Sequence, residues 1–235
     1  FAWRTTTGVC IMFSPDKWLA NPSTGFYGHT IDQSLRFEDG DSAYLSRTPS
    51  SAGNRKTWTW SGWVKRGNLS TGNQNLFRAA VGGNSDRFLF DGSDRLWMIW
   101  SDTTDGSLLS TKVFRDTSSW YHIVMVSDTT QSTAANRFKM YVNGEEITGW
   151  TTAAYPSQNR DGGINNTVTH NIGTVGASQF FDGCLAEINF IDGTALTPAS
   201  FGETKDGIWT PKDTSGLTFG TNGFHLTFKD DVVSE

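Results

Sequence analysis

The sequence predicts an all-β protein, a two-sheet antiparallel sandwich. Three observations predict it. Hydrophobic residues make up 36% of the 235 residues and charged residues 18%, with Gly, Ser, Thr and Asn filling the difference, a composition suited to short strands and tight turns. No window of 11 residues or more holds a helical period. Apolar residues instead alternate in short runs bounded by Asp-Gly and Asn-Gly turn signals. Ten Trp and 16 Phe supply core bulk that the aliphatic residues do not.

Residues 1–33 have no sustained period and carry turn signals at Asn21-Pro22 and Gly28, so they read as an N-terminal arm or connector. Leu35 and Phe37 alternate with Arg36 and Glu38 in a first strand, and Asp39-Gly40-Asp41 turns the chain toward Tyr44 and Leu45. In the next strand Trp58, Trp60, Gly62 and Val64 share one face. Trp63 puts apolar weight on the other, as expected of a central strand with a covered outer surface. Phe88–Phe90 and Leu96–Trp100 flank Asp91-Gly-Ser-Asp94 as a hairpin, and Trp120–Val126 reads as a further strand.

Phe138, Met140 and Val142 alternate with polar neighbours and run into Asn143-Gly144, the preferred type I′ pair. Residues 151–167 read as a long polar loop. His170–Gly173 and Phe180–Ile191 give the last core strands, and Thr197-Pro198 a single helical turn. Residues 34–204 are then the sandwich. Residues 205–235 are a C-terminal extension whose strand, 223–229, echoes 34–39. That strand either pairs with the sandwich or opens a further module.

A net charge of −5 with interspersed signs excludes a nucleic-acid footprint. No apolar run reaches the roughly 18 residues that cross a bilayer, so membrane insertion is not expected. Phe1–Phe13 lacks the pattern of a secretory leader, and because residue 1 is not Met the chain is expected to be processed or to continue upstream. Cys10 and Cys184 make no metal-ligand spacing and are expected to be free, Cys184 as a small core residue.

Five segments in order carry a resemblance: Ser61-Gly-Trp-Val-Lys65, Trp120-Tyr-His-Ile-Val124, Lys139-Met-Tyr-Val-Asn-Gly144, Ile172-Gly173, and Phe181-Asp-Gly183 through Leu196-Thr197. Together they resemble the laminin-G/pentraxin-like branch of the concanavalin A-like jelly rolls, which implies that fold for residues 34–204. Asp32-Gln-Ser-Leu-Arg-Phe37, Ala43-Tyr-Leu-Ser-Arg-Thr48, Ala52-Gly-Asn-Arg-Lys56, Asn189-Phe-Ile-Asp-Gly193 and Asn222-Gly-Phe-His-Leu226 resemble virion structural proteins of marine bacteriophages. That resemblance implies a non-enzymatic tail-fibre, head-fibre or decoration protein. Such a protein is made in the host cytoplasm, displayed on the virion surface and homo-oligomeric, with other virion proteins and a host cell-surface glycan as partners. A cellular carbohydrate-binding or adhesion domain is the alternative, and a glycoside hydrolase the third reading.

The residues constrain these readings. No Glu-x-Asp-x-x-Glu arrangement appears, and the adjacent Glu145 and Glu146 point to opposite faces, so paired-carboxylate hydrolysis is not expected. His122 alternates with Trp120 and Val124, which fits a packed histidine bonded to backbone rather than a base. No cofactor is required. Ca2+ is the metal the resemblance implies, with Asp91, Asp94 and Asp182 as candidate ligands among several loop acids, although Ala186 stands where relatives often carry an acid. For sugar stacking the candidates are Trp97, Trp100, Trp150 and Tyr155, against the plainer reading that large aromatics fill the core.

Overall fold

The structure, a computed structural model, describes residues 9–10 and 27–229. Its strands are β1 (Val9–Cys10), β2 (Ser34–Phe37), β3 (Leu45–Arg47), β4 (Thr57–Arg66), β5 (Gln74–Val81), β6 (Asn84–Phe90), β7 (Arg95–Trp100), β8 (Gly106–Val113), β9 (Tyr121–Asp128), β10 (Phe138–Val142), β11 (Glu145–Glu146), β12 (Trp150–Ala154), β13 (His170–Ile172), β14 (Gly183–Asp192), β15 (Gly202–Lys205), β16 (Ile208–Pro211) and β17 (Phe224–Leu226). One antiparallel sheet runs β1-β2-β14-β4-β9-β10-β11, with β17 also paired to β14. A second runs β12-β8-β7-β6-β5-β13-β3, and β15-β16 is a separate hairpin. The expected all-β sandwich is the observed architecture.

The two sheets meet through aromatic pairs. Trp60 of the first touches Phe88 of the second at 4.9 Å between ring centres, Trp100 meets Phe138 edge-on at 4.9 Å, and Phe77 meets Phe190 at 5.9 Å. Offset and edge geometries of this kind add to the burial of the rings themselves. The outer surface of the first sheet is also covered. Val124, Val126, Ile191 and Phe201 form one cluster, and Trp63, Ile31 and Ala186 form another with Trp120 and Trp209 packed against it. This is why β4 is buried on both faces and why Trp63 breaks the alternation. The single turn at Thr197-Pro198 is a 3-10 turn over Pro198–Ser200.

The structure departs from the expectations in places and decides between them in others. Residues 151–154, read from the sequence as loop, form with Trp150 an exposed edge strand on β8, because Trp-Thr-Thr-Ala-Ala has no in/out alternation to mark it. Of the two alternatives for the C-terminal strand, the structure has it paired with the sandwich, although β17 does not lie beside β2. Both pair with β14 in line, β2 at Gly183–Leu185 and β17 at Ile188–Phe190, separated by a bulge at Glu187 with φ +45°. Cys184 is disulfide-bonded rather than a free thiol. The expected arm lies mostly outside the described residues, and of it Ile31 is buried.

Candidate functional site

A cleft of about 480 Å3 lies where three elements converge. The end of β8 contributes Lys112 and Val113, the β10–β11 turn contributes Asn143, Gly144 and Glu145, and the β15–β16 hairpin contributes Thr204 and Trp209, with Tyr121 between them. The type I′ turn is built as the sequence predicts, with positive φ at Asn143 (50°) and Gly144 (82°). That geometry points the Asn143 Oδ1 back to accept the His122 backbone N–H at 2.8 Å. It also leaves Gly144 bare beneath the Trp209 ring, where a Cβ would sit 2.5 Å from the indole. Gly202 does the same from a second side, again at 2.5 Å. A second recess of about 230 Å3 shares Lys112, Val142 and Glu145 and extends along β11.

Trp209 is fixed by its nitrogen as well as its faces. Its Nε1–H donates to His122 Nδ1 at 3.0 Å, and the two rings stack at 25°. Because an indole N–H only donates, His122 Nδ1 is an acceptor and its proton is on Nε2, which donates to Ser61 Oγ at 2.8 Å. The Ser61–His122 pair therefore cannot act as nucleophile and base, since the nitrogen facing the hydroxyl already carries the proton. Burial pushes the His122 pKa down to about 3, so it stays neutral at physiological pH. Its partners are side chains rather than the backbone expected. Tyr121 is held similarly: its ring packs edge-on against Phe114 at 5.5 Å, and its hydroxyl accepts the Asp116 backbone N–H at 2.9 Å.

The cleft thus presents two immobilised aromatics with Lys112, Asn143, Glu145 and Thr204 around them. Glu145 is the one carboxylate among its described lining residues, and Glu146 of the adjoining recess pairs with Lys139 at 3.2 Å. The sequence did not mark Trp209 as a candidate. Its neighbours Ile208, Thr210 and Pro211 show no strand alternation, and the glycines that cradle it come from residues 144 and 202.

The four expected stacking residues are not brought together as an exposed platform. Trp100 is 2% exposed and lies in the core against Phe138, which corrects the idea that it meets solvent. Trp150 and Tyr155 are half-buried and pack against the same core. Trp97 is half-buried on the solvent side of β7, with its indole N–H donated to Ser107 Oγ at 2.7 Å.

The three expected metal ligands also separate. Asp91 caps its own loop, accepting the Ser93 and Arg95 backbone N–H groups, and pairs with the Arg95 guanidinium at 2.7 Å. Asp94 is buried between Arg66 (2.9 Å) and Arg115 (2.9 Å) and also accepts from Ser70. Burial alone would raise its pKa, but hydrogen bonds from Arg115, Ser70 and Arg66 outweigh it and hold it at about 2. Guanidinium groups therefore neutralise both acids, and neither is left to hold a cation.

Asp182 instead joins Glu38 and Asp39, with one oxygen of each within 4.8 Å of the others. Arg36 bridges Glu38 at 2.7 Å and Asp182 at 3.0 Å, and Asn68 donates to Asp39 at 3.3 Å. Gly67 closes the back of this cluster, since a Cβ there would fall 1.7 Å from Asp182 Oδ1. The Asp182 pKa is raised, first by burial and then, against the pull of Arg36, by Glu38 and Asp39. Hard oxygens crowded under excess negative charge have the donor chemistry that Ca2+ takes.

A family described as the concanavalin A-like lectin/glucanases superfamily matches residues 39–200. Among solved structures, the heptameric SAP-like pentraxin of Limulus polyphemus is similar at 18% identity, over 66% of this chain and 71% of the pentraxin, with a TM-score of 0.46. The sialidase of Trypanosoma rangeli is similar at 16% identity over 73% of this chain, with a TM-score of 0.51. Tailspike protein 2 of Escherichia coli O157:H7 bacteriophage CAB120 is similar at 11% identity over 72% of this chain, with a TM-score of 0.48. The matched regions span 27% of the sialidase and 24% of the tailspike, and at these identities the likeness is one of fold. No curated protein is significantly similar in sequence.

Proposed function

Because the chain belongs to the concanavalin A-like lectin/glucanase superfamily, we propose that it binds saccharide in the Trp209 cleft without turning it over, as a surface adhesion or decoration module of a bacteriophage particle. The observation that carries the binding reading is the immobilised Trp209–Tyr121 pair ringed by hydrogen-bonding side chains. Aromatics that lose no freedom on binding, with polar groups placed around them, suit a hydroxylated ring with apolar faces.

Binding without hydrolysis is favoured by the cleft's single carboxylate, since glycosidases ordinarily need two, and by the protonated nitrogen that His122 turns toward Ser61. The virion reading rests on the phrases at Asp32–Phe37, Ala43–Thr48, Ala52–Lys56, Asn189–Gly193 and Asn222–Leu226. On a particle, many copies would convert a weak site into avid attachment to a host glycan. Ca2+, if taken up, would be held by Glu38, Asp39 and Asp182, and would supply a clip between the turn after β2 and the start of β14.

The test is a polysaccharide panel read by affinity electrophoresis, with reducing ends followed over time. Wild type is expected to be retarded by at least one polysaccharide, and Trp209→Ala and Tyr121→Ala to lose at least tenfold in affinity. Retardation unchanged in both variants would refute the cleft, and steady release of reducing ends would refute the absence of turnover. Antibody labelling of purified particles tests the location, and particles without the protein would refute it.

A further inference from the structure

The solvent face of the seven-stranded sheet carries a pair of arginines directly opposite one another. Arg78 on β5 and Arg87 on β6 are register partners, so their side chains leave the same face side by side. Phe77 and Phe88, next to them, are register partners on the core side, which fixes the arginines outward. Like charges in directly opposed positions repel, and a sheet keeps such a pair only with something negative nearby.

One carboxylate answers. Asp102 pairs with Arg87 and accepts from Ser85 at 3.1 Å through the backbone N–H. It is presented by a turn in which Ser101, Asp102 and Thr103 all have positive φ (48°, 50° and 80°), a costly backbone for three residues that are not glycine. Arg78 has no carboxylate within ion-pair distance among the described residues, with Asp102 acting on it only from further off, and its one side-chain hydrogen bond, to Asn171 Oδ1, is 3.5 Å long. The Nε–H groups of both arginines are buried without an acceptor.

The surroundings of Arg78 are those of a sugar site rather than a nucleic-acid one. Asn171, only 4% exposed, lies beside it as its register partner on β13. Trp97 lies diagonally from Arg87 on the same face, because Arg87 opposes Ile99 and Trp97 is two residues before Ile99. The chain's net charge of −5 repels a polyanion with a charge at every residue, whereas a guanidinium fork beside an amide and an indole fits an isolated carboxylate on a ring.

We propose that this face, centred on Arg78 and Arg87 with Asn171 and Trp97, binds a carboxylate-bearing saccharide through the carboxylate. It shares no residue with the Trp209 cleft and rests on the saccharide reading above only for the class of ligand.

Titration with a neutral oligosaccharide carrying a single galacturonate residue and with the methyl ester of that residue separates the two sites, because esterification masks the carboxylate and keeps the rings. Wild type is expected to prefer the acid at least tenfold. Arg78→Gln should bring that ratio to about one, and Trp209→Ala should leave it intact whatever it does to overall affinity. Without ligand, Arg78→Gln should melt at the same temperature as wild type or higher, since it removes a repulsion. Four results would overturn the proposal: no preference in wild type, a preserved preference in Arg78→Gln, a lower melting temperature for that variant, or inorganic polyphosphate binding as tightly as the acidic oligosaccharide. A lost acid preference in Trp209→Ala would instead place the ligand in the cleft.

Discussion

Trp209 is held by residues whose smallness it requires. Gly144 combines a positive φ of 82° with a ring 2.5 Å from where its Cβ would be, so Gly144→Ala meets backbone strain and a clash together. We expect this substitution to cost about 2–3 kcal/mol of stability, read by urea denaturation, and to weaken saccharide binding by displacing the indole. A loss below about 0.5 kcal/mol would mean that the hairpin shifts freely. Asp94 gives the opposite case, a charge needed for two others: Asp94→Asn leaves Arg66, which has no exposed side-chain surface, facing a neutral amide. A loss of about 3–5 kcal/mol is expected, because breaking a buried pair strands the remaining charge. Residue-scale chemistry of this kind was the least legible part of the sequence. Asp91 and Asp94 read as turn acids open to a metal, and nothing local to Asp94 reveals that Arg66 and Arg115 arrive from 28 and 21 positions away. Trp100 looked as available as Trp97, since one strand cannot say which of its faces meets the other sheet.

Elements were legible where they alternate or turn sharply. β4, β9, β10 and β14 carry dense apolar runs, and Asn143-Gly144 fixes its hairpin through positive φ alone. β5 and β8 were not anticipated, because a bulge interrupts each pairing, between Asn75 and Phe77 and between Arg95 and Trp97, and shifts the apolar phase. The β15–β16 hairpin was missed because its outward residues are exposed and its sequence reads as turn. Two element contacts are open to measurement. β17 is tied to β14 by His225 against Glu187, and by stacking of Phe224 on Phe190 at 5.6 Å. His225→Ala should cost about 1.5 kcal/mol and speed amide exchange at residues 224–226 while leaving β9 and β10 protected. Uniform acceleration across the sheet would show that β17 is not a separable unit. The Glu38–Asp39–Asp182 cluster joins the turn after β2 to the start of β14. Millimolar Ca2+ should therefore raise the melting temperature of wild type by a few degrees and have no effect on Asp182→Asn. An equal shift in both would place any bound ion elsewhere.

At the scale of the whole molecule, the two buried histidines make stability depend on pH in one direction. His122 stacks between Trp63 and Trp209, and His170 packs against Phe77 with its Nε2 accepting the Asn165 backbone N–H at 2.9 Å. Burial lowers the first to about 3 from 6.5. Burial, followed by the opposing carbonyl of Val168 and the charge of Arg47, leaves the second at about 4. Both nitrogens that would take the proton are already acceptors, from the Trp209 indole and from a backbone amide, so protonation would break a bond as well as bury a charge. The unfolded chain binds these protons near pH 6.5 and the folded chain does not. Stability is therefore full above about 6.5 and falls as the pH drops from there toward 4, by up to about 1.4 kcal/mol per pH unit for each histidine. Asp94 has the same sign in a lower window: its contribution is present above about pH 4 and is lost as the pH falls toward 2. Between pH 6.5 and 4.5 the histidines should dominate, so urea midpoints should drop steadily over that range and His170→Gln should have the shallower slope. A flat profile from pH 7 to 4.5, or an equal slope in the variant, would mean that these rings admit protons in the folded state.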